Sequence, residues 1–243
     1  MPCIPNSPSR KRRQLGSLPR IAILVDTSTT WGRRIVAGVN NYVRKNKPWQ
    51  IFIEARGVEE RINLPQGWHG EGVIARVGSV AMADALCKLG IPVVNVSGIQ
   101  LPHTRFPRVT TDMQKTGELA AEHFLNRGFR NFGYFSLLGL SYVSAQQDAF
   151  IRATKRAGHE CAIYGVGTHE GAEPDWNLDL HKLAKWLTNL PKPTGILTWN
   201  ADSGRQIIYA SHLAGLHVPE EIALLSGTDD DLPFEEPLRL QSS

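Results

Sequence analysis

The sequence lacks the features that mark membrane-spanning and secreted proteins. No apolar stretch approaches the roughly 20 residues that a transmembrane helix needs. The first residues do not combine an apolar segment with a small-residue cleavage site, as a secretory signal would. We therefore expect a cytoplasmic protein that makes no membrane contact.

Cysteine is scarce, with 3 residues in a chain of 243. Cys3, Cys87 and Cys161 lie far apart, and their spacing is not that of metal ligands. An odd number of widely separated cysteines predicts neither a disulfide framework nor a zinc site. We expect buried thiols.

Motifs of catalysis and nucleotide binding are also lacking. The 8 histidines are scattered without a metal-spaced pair, and neither GxxxxGK nor a GxGxxG after the first predicted strand occurs. Asp26 ends that strand as a phospho-acceptor would, but the other residues of a receiver domain have no counterpart that we can place. We expect no enzyme activity, no metal and no cofactor.

Positive charge is concentrated at the N-terminus. The chain has 27 Lys and Arg residues against 23 Asp and Glu residues, but five of the basic residues and none of the acidic ones fall within residues 1–20. The remainder is close to neutral, so no folded basic face for DNA is predicted. Residues 1–18 have the Ser, Pro and Arg composition of a disordered basic leader, which could also touch phosphates non-specifically.

Strand-length apolar runs alternate with amphipathic segments along the rest of the chain. The run "RIAILVD" at 20–26 precedes a helical pattern in which Ile35, Val36, Val39 and Val43 share one face. The alternation continues to "EIALLSG" at 221–227. Because the strands are apolar on both sides, we predict an α/β fold with parallel sheets covered by helices on both faces.

Two similar units indicate two lobes in tandem. The stretches "ADALCKLGIPVVNVSG" and "YASHLAGLHVPEEIALLSG" both read as helix, glycine, short turn, strand and glycine. We expect a first lobe at 19–127 and a second at 128–243. Ligands of open parallel sheets bind at the carboxyl ends of the strands. Four polar residues follow predicted strands there: Asp26, Asp112, Asn200 and Asp229.

Several segments resemble one protein family. "GLHVPEEIALLSGTDD", "VTTDMQKTGELAAEHFLNRGFRNFGYFS" and "GILTWN" are similar to the sugar-sensing region of LacI/GalR-type transcription regulators. "AILVDTSTTWGRRIVAGVNNYVRKNKPWQIFIEARG" and "KLAKWLTNLPKPTGIL" resemble the subfamily of xylose operon regulators. The resemblance covers about residues 19–243, and it rests on the order and spacing of the segments because no single motif is specific.

The resemblance implies a two-lobed periplasmic-binding-protein-like fold that closes around a monosaccharide effector, a pentose such as D-xylose. It implies a region of a bacterial regulator of sugar-catabolic genes that is a homodimer when intact. Operator DNA would be bound by a separate module, of AraC type in the xylose subfamily, which we do not find in this chain. We also expect the first lobe to be incomplete, because its last strand and helix follow the crossover at the end of the second lobe in this family.

The resemblance also implies which residues contact the sugar. Asp112, Asn200 and Asp229 match polar family residues that bond to sugar hydroxyls, and Gln146 stands where the family usually has an arginine. A sugar presents hydroxyls and C–H surface, so carboxylates, amides and aromatic rings suit it. Trp31 and Tyr142 are the candidate stacking rings.

Each of these residues has a structural alternative. Asp112 and Asn200 are also suited to cap helices, Asp229 to occupy a solvated turn, and the two aromatic rings to pack in the core. Gln146 lacks the charge and the planar fork of arginine, and Ala201 stands where the family usually has aspartate. These departures leave the identity of the sugar open. They also leave two alternative functions, a sugar-binding protein without a DNA-related role and a degenerate truncated regulator.

Overall fold

The chain divides into two compact units, Met1–Thr111 and Asp112–Ser243. The computed structural model describes residues 18–56, 68–102, 104–136, 141–165 and 179–228. Of the proposed sugar-binding residues, Asp229 lies outside these ranges.

The first unit contains a parallel sheet of four strands. These are β1 (Arg20–Asp26), β2 (Gln50–Arg56), β3 (Gly72–Ala75) and β4 (Val93–Asn95), in the order β2-β1-β3-β4. Helix α1 (Thr30–Lys45) follows β1, and helix α2 (Val80–Lys88) follows β3. Residues 107–109 extend the edge at β4, because the amide of Asn95 donates to the carbonyl of Pro107 at 2.8 Å and the amide of Val109 donates to the carbonyl of Asn95 at 3.0 Å.

The second unit repeats this strand order. Helix α3 (Met113–Asn126) comes first, and then β5 (Asn131–Ser136), α4 (Ser141–Arg156), β6 (Cys161–Gly165), α5 (Leu180–Asn189), β7 (Thr194–Thr198), α6 (Ala201–Leu213) and β8 (Ile222–Ser226). The parallel strands lie in the order β6-β5-β7-β8. The expected α/β class and the repetition of the unit are confirmed.

Both faces of each sheet are buried. In β1, Ala22 and Leu24 belong to one apolar cluster with α2, whereas Ile23 and Val25 pack against α1. In β5, Phe135 packs with residues of α5 and α6. Phe132 and Tyr134, on the other face of the strand, pack with residues of α3 and α4. Neighbouring strand residues point to opposite faces, so helices on both sides require apolar side chains throughout the strand.

The helices begin and end at residues with suitable local chemistry. Five helices start at capping side chains that accept a backbone amide, from Thr29, Ser79, Asp112, Asp179 and Asn200. Gly90 and Gly128 follow α2 and α3 with φ of 63° and 85°, a conformation that costs glycine little. Among the described helices, none is long and apolar enough to cross a membrane.

The boundary between the units differs from the expected one. We expected α3 in the first lobe, which was to end at residue 127, but the division falls after Thr111. The reason is that α3 packs closely on α4. A Cβ on Gly117 would lie 2.4 Å from the carbonyl oxygen of Gln146 and 2.9 Å from the amide nitrogen of Phe150. Helix α3, with Asp112 at its start, therefore belongs to the second unit.

The cysteines differ from the expectation of three thiols. Cys87 is disulfide-bonded, so the prediction of a thiol is wrong at this position. Cys161 is free and half-buried at the start of β6. Burial, and to a lesser extent the nearby charge of Glu160, raises the pKa of its thiol to about 12, which keeps it protonated at neutral pH.

The close contact of α3 with α4 predicts opposite effects for two helical glycines. Replacing Gly117 with alanine should lower the free energy of unfolding by about 1–3 kcal/mol, because the added methyl group meets backbone atoms that cannot move aside cheaply. Gly38 in α1 is the matched control, since a Cβ there has no neighbour within 4 Å. Gly38→Ala should raise stability by roughly 0.5–1 kcal/mol.

Denaturant unfolding of both variants, followed by circular dichroism, measures these two changes. If Gly117→Ala were as stable as Gly38→Ala, the close approach of α3 and α4 would be contradicted.

Candidate functional site

Several candidate side chains lie at one edge of the second sheet. Strands β5 to β8 are parallel, so their carboxyl ends share that edge. Helices α4 and α6 begin there because they follow β5 and β7. Helix α3 precedes β5 by a four-residue connection at 127–130 and packs on the same sheet, so it runs against β5 and begins at the same edge.

Asp112 caps α3 at this edge. Its Oδ1 accepts a hydrogen bond from the amide of Lys115 at 2.9 Å, and its side chain is exposed. Oδ2 makes no hydrogen bond to the described part of the chain and remains available as an acceptor. The capping alternative is therefore confirmed, and it leaves the second oxygen for a ligand. We had expected Asp112 in the first lobe. It belongs instead to the second unit, because α3 packs with α4.

Asn200 caps α6 in the same manner. Its Oδ1 accepts from the amide of Ser203 at 2.9 Å, whereas its Nδ2 has no acceptor among the described residues. Asp202, which follows the unusual Ala201, forms an ion pair with Arg205 in the first turn. The family usually has its aspartate at position 201. The aspartate of this chain is at position 202, and it is paired within α6.

Two aromatic rings stand beside Asn200. Tyr142 in the first turn of α4 meets Trp199 edge to face, with ring centroids 5.0 Å apart. Both side chains are half-buried. The sequence analysis missed Trp199, although "GILTWN" places it directly before Asn200 at the end of β7. The pair forms an aromatic wall, by which we mean Tyr142 and Trp199.

Gln146 lies inside this edge. Its side chain is 0% exposed, and its Oε1 accepts from the hydroxyl of Tyr134 at 3.0 Å. Burial raises the pKa of Tyr134 far above its ordinary value of 10.0, so the hydroxyl stays protonated and donates. The Nε2 of Gln146 is buried without a hydrogen-bond partner. It abuts Gly227, where a Cβ would lie only 2.2 Å from it.

Trp31 lies in the first unit. It occupies the first turn of α1 and is 37% exposed. The loop before it is held by Arg33, which donates to the carbonyl of Ser28 at 2.7 Å and to Oγ1 of Thr30 at 2.9 Å. Oδ1 of Asp26 accepts from both the amide and the hydroxyl of Ser28, so it stabilises the turn.

Asn95 is a second residue that the sequence analysis missed. It ends β4, is 3% exposed, and its Oδ1 accepts from the amides of Val77 at 3.2 Å and Ser97 at 2.8 Å. It thereby fixes two loops at the carboxyl edge of the first sheet. An asparagine that ends an apolar run in "IPVVNVSG" was the available signal.

The structure thus brings together four of the six residues expected to bind sugar, which are Asp112, Tyr142, Gln146 and Asn200. Trp31 is in the other unit, and Asp229 lies outside the described residues. Together with Trp199, the four residues offer a carboxylate oxygen, an amide donor and two rings. These are the groups that bind hydroxyls and C–H surface.

Two family models match the chain in succession. Residues 20–114 match the XylR N-terminal domain, and residues 121–238 match the periplasmic binding protein-like domain. The first model ends and the second begins close to the observed division of the chain after Thr111.

Curated relatives and a solved structure agree with these models. The xylose operon regulatory protein of Escherichia coli (strain K12) is 27% identical over 221 residues, which are 88% of this chain and 55% of that protein. The protein of that name from Haemophilus influenzae is 25% identical over 223 residues, with 88% and 56% covered. A structure described as xylose-binding transcription activator xylR is 25% identical, with a TM-score of 0.72 and coverage of 88% and 55%.

The chain therefore spans about half the length of the curated relatives that it matches. The matches confirm the expected fold class and the resemblance seen in the sequence. The chain is similar to the xylose operon regulatory proteins, and within it a match to the XylR N-terminal domain is followed by a match to the periplasmic binding protein-like domain.

Proposed function

We propose that this chain is the effector-sensing region of a sugar-responsive transcription regulator and that its effector is a pentose such as D-xylose. One observation carries the proposal. Asp112 and Asn200 each use one side-chain atom to cap a helix and keep the other for a ligand at the same edge of the second unit. The names of the relatives, which are xylose operon regulatory proteins, support a pentose.

Each residue at the edge has a role in sugar binding. The carboxylate of Asp112 accepts from hydroxyl groups, and charge-assisted hydrogen bonds of this kind are stronger than neutral ones. The Nδ2 of Asn200 donates to a hydroxyl or ring oxygen. The aromatic wall of Tyr142 and Trp199 presents apolar surface to sugar C–H groups. Asp229, assigned from the sequence alone, adds a second carboxylate.

The sugar acts as a signal only if it binds one conformation of the chain better than another. Trp31, in the first unit, stays a candidate stacking ring that is assigned from the sequence. Operator DNA and a second subunit are partners of the longer regulator, and we propose no catalytic role, since the similar proteins are named as regulators.

The first test of the proposal is a thermal titration with pentoses. D-xylose should raise the melting temperature, because a ligand that binds only the native state stabilises it, by about 2.7 kcal/mol at 100 times its Kd. L-arabinose and D-ribose should be compared over the same range.

L-xylose is the matched control in this titration. It has the same composition and the same effect on the solvent, but it cannot place its hydroxyls on the same chiral set of side chains. A melting temperature that no pentose changes, or that both xylose enantiomers raise equally, would contradict the proposed function.

The second test separates the capping role of Asp112 from its ligand role. Asparagine is as good an N-cap as aspartate, so Asp112→Asn should leave the free energy of unfolding nearly unchanged. It removes the charged acceptor, which should weaken pentose binding by about 1.5–3 kcal/mol, or more than tenfold. Asp112→Ala should weaken binding and also lower stability by about 1 kcal/mol.

Denaturant unfolding and calorimetric titration give the two quantities for each variant. Wild-type affinity in Asp112→Asn would show that the residue only caps α3.

A further inference from the structure

The buried amide of Gln146 calls for an explanation that sugar binding at Asp112 and Asn200 does not give. The side chain is 0% exposed, and its Nε2 donates to no atom, although buried polar groups are nearly always paired.

The surroundings fix which end of the amide faces which neighbour. The hydroxyl of Tyr134 lies 3.0 Å from one end, and the carbonyl of Trp199 lies on the side of the other end. A carbonyl repels an amide oxygen and attracts an amide N–H, so Nε2 faces Trp199 and Oε1 faces Tyr134.

An unpaired acceptor lies beside this unpaired donor. The position that a Cβ on Gly227 would occupy lies 2.2 Å from Nε2 of Gln146 and 2.8 Å from the carbonyl oxygen of Trp199. That oxygen accepts no hydrogen bond from the described part of the chain. Only a glycine at 227 leaves the space between donor and acceptor open.

The neighbouring groups are already tied together. The amide of Gly227 donates to the carbonyl of Thr198 at 2.8 Å, and Oγ1 of Thr198 donates to the carbonyl of Asn200 at 3.1 Å. The segments that follow β7 and β8 are therefore connected on either side of Trp199. The Trp199 carbonyl belongs to this connected group.

We propose that Gln146 is a positioning residue: its Nε2 donates to the carbonyl of Trp199 in the sugar-bound form and so holds the aromatic wall and Asn200 in place for the sugar. This inference rests on the proposed sugar-binding function and gives Gln146 an indirect role in it. The hydrogen bond that forms in the sugar-bound form strengthens sugar binding.

A double substitution tests the proposal. Y134F combined with Q146M replaces both members of the buried hydrogen bond by apolar groups of similar size, which is expected to leave stability nearly unchanged. Y134F alone is the matched control, because it keeps the Gln146 amide. The double variant should bind D-xylose about tenfold more weakly than the control does, with a melting temperature within a few degrees of it.

Deoxy analogues of D-xylose distinguish positioning from direct contact. A positioning role lowers the affinity for every analogue, because the rings that Gln146 holds in place contact C–H surface that all the analogues keep. The proposal would be overturned if the double variant and Y134F bound the analogue that lacks one hydroxyl equally well, because Gln146 would then bond directly to that hydroxyl. Equal affinities of the double variant and Y134F would overturn it as well.

The wild-type chain provides two further readouts. If the wild type binds no pentose, the proposed function fails before any variant is compared. In protein labelled with ¹⁵N at glutamine side chains, D-xylose should shift one amide proton of Gln146 downfield and slow its exchange, whether or not the double variant folds. A wild type that binds D-xylose without this change would overturn the role of Gln146 alone.

Discussion

The arrangement of the second unit depends on the close backbone contact between α3 and α4. Gly117 allows the two helices to approach until the carbonyl of Gln146 occupies the place that a side chain would need. This contact holds α3 against the second sheet. Asp112, the N-cap of α3, therefore lies at the edge where α4 and α6 begin. The same contact fixes the backbone of Gln146, whose side chain reaches Tyr134 and Gly227.

Capping and ligand binding are compatible at this edge because each cap uses one atom of a two-headed side chain. An N-cap needs one oxygen to accept a backbone amide, and both Asp112 and Asn200 supply it through Oδ1. The other atom takes no part in the cap, and the capping hydrogen bond already holds the side chain in place. A side chain that is ordered before the ligand arrives loses less conformational entropy on binding.

The sequence reveals features that depend on neighbours along the chain. The alternation of strands and helices, Asp112 and Asn200 as caps, and the glycines after α2 and α3 all follow from local patterns. The local pattern does not show to which unit α3 belongs, because an amphipathic helix that follows one sheet and precedes another in sequence can pack on either. Its contact with α4, which is distant in sequence, determines the unit. The partners of Gln146 were equally hidden, since Tyr134 and Gly227 lie on other strands or loops.

The glutamine at 146 suits its enclosed position. Among the described residues, a guanidinium there would be buried next to the Tyr134 hydroxyl and near the Trp199 carbonyl, and a buried charge without a paired carboxylate is costly. A neutral amide needs only an acceptor and a donor, and Tyr134 already supplies the donor. The proposed acceptor is the Trp199 carbonyl, which lies on the side of Nε2. The departure from the usual arginine therefore replaces a charged fork at this position by an internal hydrogen bond with Tyr134, whereas Asp112 and Asn200 keep polar atoms that suit sugar hydroxyls.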